Sequence, residues 1–200
     1  RETNMPRVRA DDYDTKAQNI LSSAAALFAK VGYPNAKMQD IAKACGASKS
    51  MLYHYFPTKD DLLFAMLEEH LQQVITGLEE VVSQPGPAKE RFAAFVELYA
   101  QKSAQSRRRH VSAMNDVKFL PKAMQTPLLR LETEVTDLTA QMLEQVNPGL
   151  PETVYKPYAM LLLGMLNWTD YWYKPTGEMK PQELCERISR LYLKGFLAEK

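Results

Sequence analysis

The chain has 200 residues, 46% of them hydrophobic and 24% charged, which suits one domain, or a small module joined to a larger one, with a core that needs neither disulfides nor metals. No window approaches 18 uninterrupted apolar residues and no apolar segment follows Arg1-Glu2-Thr3-Asn4-Met5, so neither a membrane span nor a secretory signal is expected. The net charge of +1 hides an uneven distribution: residues 1–60 hold 9 Lys and Arg against 6 Asp and Glu, whereas residues 61–200 hold 16 against 18.

In chain order, residues 1–12 read as a polar, flexible arm. Thr15-x-x-Gln18 has the form of a capping box. Behind it Ile20, Leu21, Ala24, Leu27, Phe28 and Val31 repeat at helical spacing, and Gly32 is placed to end that helix. A short helix is predicted from about Met38 to Cys45, broken by Gly46. Ser48 is placed to cap a third helix that ends before Pro57. Thr58 then caps a long helix from Lys59 to about Val82, which Pro85-Gly86-Pro87 interrupts. Further helices are predicted over about 88–105, 107–119, 122–146, 152–173 and 181–198, with Pro127 inside one of them. No segment alternates as a strand would. The expected architecture is all-α with about nine helices: the arm 1–12, a three-helix unit at 13–58 and a larger helical domain at 59–200.

The informative segment is 37–56. Two short helices around the turn Gly46-Ala47-Ser48 make helix-turn-helix geometry. Within 30–59 the basic residues are Lys30, Lys37, Lys43, Lys49 and Lys59, and the one acid is Asp40. The second short helix carries Ser48, Lys49, Ser50, Tyr53 and His54, whose donors, cation and rings suit phosphate and base-edge contacts. Spacing alone leaves two readings: a DNA-binding module, or an αα-corner of an ordinary helical protein.

The residues Ala25, Leu27, Phe28, Gly32 and Tyr33, then Asp40-Ile41-Ala42-x-x-Cys45-Gly46-Ala47-Ser48-Lys49, then Leu52-Tyr53-His54-Tyr55-Phe56-Pro57-x-Lys59-x-x-Leu62-Leu63, closely resemble the N-terminal domain of TetR-family transcriptional regulators. The resemblance implies a DNA-binding domain followed by a divergent helical domain for ligand binding and dimerisation. Carried over by position, it places Ser48, Lys49, Ser50, Tyr53 and His54 on the recognition helix and Lys59 at a DNA-backbone contact. Phe28, Ile41, Leu52 and Phe56 match the core. The chain departs from the family pattern at Ala36-Lys37, where a Thr or Ser cap is usual. Lys37 is the expected phosphate contact there, Asn35 the nearest substitute cap, and Gln39 stands where Arg is common.

In the second domain, Asn167-Trp168-x-x-x-Trp172-Tyr173-x-Pro175-x-Gly177 resembles TetR-family regulators of steroid, fatty-acid and aromatic-acid catabolism, several of which respond to CoA thioesters. That resemblance implies an effector site at Asn167, Trp168 and Trp172; Met114, Phe119 and Met142 suggest a deformable apolar pocket beside it, or ordinary core, and Arg107, Arg108 and Arg109 are available for phosphate. Two readings stand for the arginine run, a CoA phosphate site or a solvated basic turn. Two also stand for Asn167, a ligand carbonyl or a neighbouring helix. Leu163, Leu184, Ile188 and Leu191 are expected at a four-helix dimer seam.

Cys45 and Cys185 are too few and too far apart for a disulfide framework and read as small buried thiols of a cytoplasmic protein. His54, His70 and His110 have no metal-ligand spacing. The carboxylate pairs Glu68-Glu69 and Glu79-Glu80 sit on adjacent helix positions that do not face each other. No nucleophile, phosphate-loop or metal motif supports an enzyme, and no cofactor is expected. The expected function is a dimeric repressor that binds a palindromic operator in double-stranded DNA. A small hydrophobic effector, such as an acyl-CoA, would release it. The alternative is a helical adaptor or enzyme that does not bind DNA.

Overall fold

The structure is a computed structural model that describes residues 6–199, apart from the side chains of residues 6–12 and of Ala113. Among the described residues there are nine α-helices and no strand: α1 (Pro6–Val31), α2 (Met38–Ala44), α3 (Lys49–Tyr55), α4 (Lys59–Ser83), α5 (Ala88–Gln105), α6 (Arg107–Asp116), α7 (Lys122–Val146), α8 (Glu152–Trp172) and α9 (Pro181–Phe196). The helix expected over 107–119 stops at Asp116, and Val117–Phe119 tighten into a 3-10 turn.

The largest correction lies at the start. Residues 6–12, expected as part of a flexible arm, are helical, and Thr15 lies inside α1 rather than at its cap. Residues 1–5 of that arm lie outside the described residues. Proline suits the first helical position, and Arg7, Arg9 and Ala10 behind it favour a helix without apolar periodicity, which is the signal the sequence reading relied on.

The chain falls into two compact units. One takes residues up to Glu69 together with 108–126, and the other takes 70–107 and 127–200. The first unit therefore runs past the expected boundary at 58 and includes the opening turns of α4. In it α1 packs on α2 and α2 on α3. Ile20, Phe28, Ile41 and Leu52 are buried, as are Leu62 and Met66 of α4. Gly32, at φ +77°, ends α1 and donates to the Phe28 carbonyl at 2.8 Å. Asn35 donates through Nδ2 to the Val31 carbonyl at 2.9 Å. It thus caps the end of α1 and does not supply the substitute cap expected for α2, whose N-cap Lys37 makes no side-chain cap bond.

In the second unit α5 packs on both α8 and α9, and α8 packs on α9. Phe92 and Phe95 of α5, Leu162 of α8 and Phe196 of α9 lie in one apolar core. Tyr192 stacks on Phe92 with ring centroids 5.8 Å apart and donates to the Tyr158 carbonyl at 2.6 Å. Leu163, Leu184 and Ile188 belong to this same core. Buried inside the protomer, they have little surface left for the dimer seam expected of them. Of the four seam residues, only Leu191 is exposed, at 67%.

Candidate functional site

The geometry of α3 follows from three local devices. Gly46 adopts φ +68°, and the Ala47 amide donates to the Ala42 carbonyl at 2.9 Å while the Gly46 amide donates to that of Lys43 at 3.3 Å. That is the glycine-dependent closure of a helix end, and it turns the chain from α2 into α3. Ser48 then caps α3, its Oγ accepting from the Met51 amide at 3.1 Å. The buried Leu52 fixes the rotation of α3 about its axis.

With Leu52 pointing inward, Lys49, Ser50, Tyr53 and His54 all face solvent. Lys49 Nζ lies 5.9 Å from the centre of the Tyr53 ring. Tyr55 is held from the other side by Tyr13, whose ring stacks on it at 4.4 Å. Lys37 and Gln39 are exposed at the start of α2. The face thus offers hydroxyls, a phenol, an imidazole and ammonium groups, a set that bonds phosphate oxygens and base edges. Ser48 keeps its hydroxyl proton for an outside acceptor while its oxygen serves the cap.

Lys59 takes a different role from the one expected. Its ammonium donates to the carbonyls of Tyr33 at 2.9 Å, Ala36 at 3.1 Å and Pro34 at 3.3 Å, and lies 4.3 Å from the centre of the Tyr33 ring. An ammonium has three donors, and all three face protein carbonyls. As placed, Lys59 fastens the loop between α1 and α2 to α4 rather than presenting a phosphate contact. The Tyr33 hydroxyl donates to Asp60, and burial, followed by that bond and by the charge of Asp60, raises its pKa. The Tyr33 ring also stacks on Phe119 at 5.9 Å.

The arginine run diverges. Arg109, whose side chain is 12% exposed, donates to Glu69 at 3.1 Å, Ser22 at 3.2 Å and Gln18 at 3.4 Å. Gln18 also donates to Glu69 at 2.8 Å, so α6, α4 and α1 share one polar knot. Arg107 instead turns to α8, donating to the Asp170 carbonyl with its Nε 3.8 Å from the Asp170 carboxylate. Arg108 is exposed. The three do not form one phosphate site.

A cavity of about 420 Å³ opens within the second unit, between the C-terminal half of α5, the end of α8 and the start of α9. Its polar wall includes Glu97, Gln101, Arg107, Thr169 and Asp170, and its apolar wall includes Ala100, Leu166 and Leu184. Cys185 borders it, and burial, followed by the charges of Glu97 and Glu186, pushes that thiol up. A space of this size suits a small organic ligand.

Two family profiles match the chain. Residues 20–66 match that of bacterial regulatory proteins of the tetR family, and residues 85–196 match the tetracyclin repressor-like C-terminal domain. The chain belongs to the TetR family. A TetR-family transcriptional regulator from Bordetella parapertussis 12822 has 35% identity and a TM-score of 0.84, over 92% of this chain and 97% of that one. The fatty acid metabolism regulator protein of Bacillus subtilis is 31% identical over 81 residues, 40% of this chain and 42% of its own length, so the match spans less than half of that relative. The structure of AibR in complex with isovaleryl coenzyme A and operator DNA has 21% identity and a TM-score of 0.77, covering 88% of this chain and 97% of its own, a likeness of fold.

Against that TetR frame, most of the expected pocket residues lie away from the cavity. Of them, Arg107 alone lines it. Met142 is buried in the apolar core, and Asn167 accepts from the Tyr99 hydroxyl at 2.7 Å, so its amide serves a neighbouring helix. Burial raises the pKa of Tyr99, which keeps it the donor in that bond. Trp168 is 63% exposed on α8 and packs at 5.0 Å on Tyr171, and Trp172 is exposed as well. Met114 and Phe119 belong to the other unit and are exposed. The cavity residues Glu97, Gln101 and Thr169 carried no motif. Besides Arg107, Tyr173 and Pro175 signalled this place, both in its wall and both in the quoted C-terminal pattern.

Proposed function

We propose that this TetR-family chain is a dimeric, DNA-binding transcriptional repressor whose grip on a palindromic operator is set by a small effector bound in the second unit. The observation that carries the reading is the outward face of α3, where Lys49, Ser50, Tyr53 and His54 are exposed around one buried anchor, Leu52. Two such helices in a dimer reach successive major grooves about 34–36 Å apart, which is why the operator is taken to be palindromic. A role at DNA in a bacterial family supports a cytoplasmic location. No helix among the described residues is long and apolar enough to cross a membrane.

The surface proposed for dimerisation is the outer side of α8 and α9, where Met160, Leu161, Trp168, Trp172 and Leu191 are all exposed. An apolar patch of this kind on one protomer is the usual mark of a protein interface. For the effector, the CoA complex of the structural neighbour AibR supports an acyl-CoA whose acyl arm enters the cavity. The effector acts only by binding the DNA-incompetent state better, and a 100-fold preference is worth about 2.7 kcal/mol. The proposed role needs no catalytic group and no cofactor.

The test is a gel-shift titration on the DNA upstream of the coding region, repeated with isovaleryl-CoA and with free CoA. The expected result is a salt-sensitive complex of a dimer, released by the thioester and not by CoA alone. A monomer by sedimentation at micromolar concentration, or no complex at low salt, would count against the reading.

A further inference from the structure

The cavity has a charge inventory that limits what can enter it. Its wall holds two carboxylates, Glu97 and Asp170, and among the described lining residues one cation, Arg107. That cation is already engaged: its Nε lies 3.8 Å from the Asp170 carboxylate and its guanidinium donates to the Asp170 carbonyl. The Asp170 side chain is only 10% exposed, so its field in the cavity is weakly screened by water. Gln101, Gln105 and Gln182 supply amide donors in the same wall, and Ala100, Leu166 and Leu184 supply apolar surface.

A free carboxylate entering this space would lose its hydration and meet a wall with a net negative charge, and both effects oppose it. An acyl chain that ends in an uncharged carbonyl loses little by desolvation, and the glutamine amides are suited to its oxygen. We infer that the cavity takes an acyl chain in neutral ester, amide or thioester form, and that Glu97 and Asp170 exclude the corresponding free acid. The inference deepens the effector reading above and rests on it. It makes Glu97 and Asp170 specificity-determining residues, the first outside both sequence motifs and the second at an unspecified position of the C-terminal pattern.

The test uses the full chain and direct titration calorimetry without DNA. Three probes share one chain length: the octanoyl thioester of N-acetylcysteamine, octanoate and octyltrimethylammonium. The neutral thioester is expected to bind at least about tenfold more tightly than octanoate. It is also expected to slow alkylation of Cys185, which lines the cavity, and to leave that of Cys45 unchanged. Asp170→Asn removes one of the two wall carboxylates and leaves the charge of Arg107 without its counter-ion, and should narrow the thioester-to-octanoate ratio to within about threefold. Glu97→Gln, at an exposed position, should narrow the same ratio in the same direction and keeps the test decisive should Asp170→Asn fail to fold.

Octanoate binding as tightly as the thioester, or the ammonium probe binding more tightly than both, would overturn the inference. So would a ratio that neither variant narrows, or a chain that binds none of the probes or leaves Cys185 unprotected. Operator binding is measured separately without ligand. Its loss would strike the repressor reading and not the selectivity of the cavity.

Discussion

The two units solve the problem of making a site in opposite ways. In the first, the surface proposed to face DNA comes from about twenty consecutive residues, and each step is a local rule: Gly46 reverses the chain, Ser48 caps α3 and Leu52 sets its rotation. In the second, the cavity joins residues near 97, 107, 170 and 185, which come together only because α5, α8 and α9 pack side by side. A site of the first kind leaves a pattern in sequence, whereas one of the second kind leaves side chains that read as ordinary helix surface or core.

That contrast is open to attack by mutation, and the largest effect belongs to the anchor of α3. Leu52→Ala removes a fully buried side chain and should cost about 2–5 kcal/mol in denaturant unfolding. Leu191→Ala, on an exposed residue of the second unit, should change protomer stability by no more than about 0.5 kcal/mol. Its effect should appear in sedimentation instead, as a weaker dimer. Similar unfolding losses for the two would erase the distinction between anchor and interface.

Next comes the arginine run. Arg109→Met breaks the charge-assisted bond to Glu69 and the bonds to Ser22 and Gln18, and should cost about 1–3 kcal/mol. Arg108→Met, at an exposed side chain one residue earlier, should stay within about 0.5 kcal/mol of the parent chain. Equal losses would mean that the knot joining Gln18, Ser22, Glu69 and Arg109 does not hold α6 in place.

A smaller effect tests the backbone. Gly46→Ala forces a side chain into a left-handed conformation at a place with open space around it, and should cost about 1–2 kcal/mol. Gly164→Ala, within α8 and also in open space, should stabilise the protomer by about 0.5–1 kcal/mol, because there the glycine is only a weak helix former. One substitution with two signs would show that conformation, not packing, fixes the turn.

The smallest effect concerns Cys185. Burial and two acidic neighbours raise its pKa, so the neutral thiol is the favoured form in the folded chain. This stabilising contribution is complete below the pKa of the unfolded thiol and is lost as pH rises through the higher folded value. Alkylation of Cys185 should accordingly accelerate at a higher pH than that of a small-molecule thiol, as followed by mass spectrometry. Acceleration at a lower pH would contradict the placement beside Glu97 and Glu186.

The comparison also explains what was legible in the sequence. Helices at 88–105 and 122–146 fall where proline and glycine breaks put them. The core roles that the family resemblance implies for Phe28, Ile41, Leu52 and Phe56 agree with their positions, since all four are buried. Pairing choices were hidden. Nothing local says that Lys59 will turn back to three carbonyls of the preceding loop, or that Arg107 and Arg109, two residues apart on one helix, will bond to different units. The seam expectation fell on inward residues for a related reason. Apolar periodicity marks the inward faces of α8 and α9, and Leu163, Leu184 and Ile188 obey it by filling the protomer core. The exposed Met160, Leu161 and Trp168 lie outside that stripe.

The central claim is that α3 reads DNA, and the salt dependence of operator binding tests it most directly. Affinity measured between 50 and 200 mM salt should fall linearly on logarithmic axes, as phosphate contacts release counterions. Lys37→Ala, which removes an exposed cation at the start of α2, should lower the slope by about one unit and weaken all sequences alike. Ser50→Ala, on the exposed face of α3, should leave the slope in place and relax the preference for operator over random DNA. Operator preference that is untouched by Ser50→Ala, Lys49→Ala and Tyr53→Phe together would contradict the account.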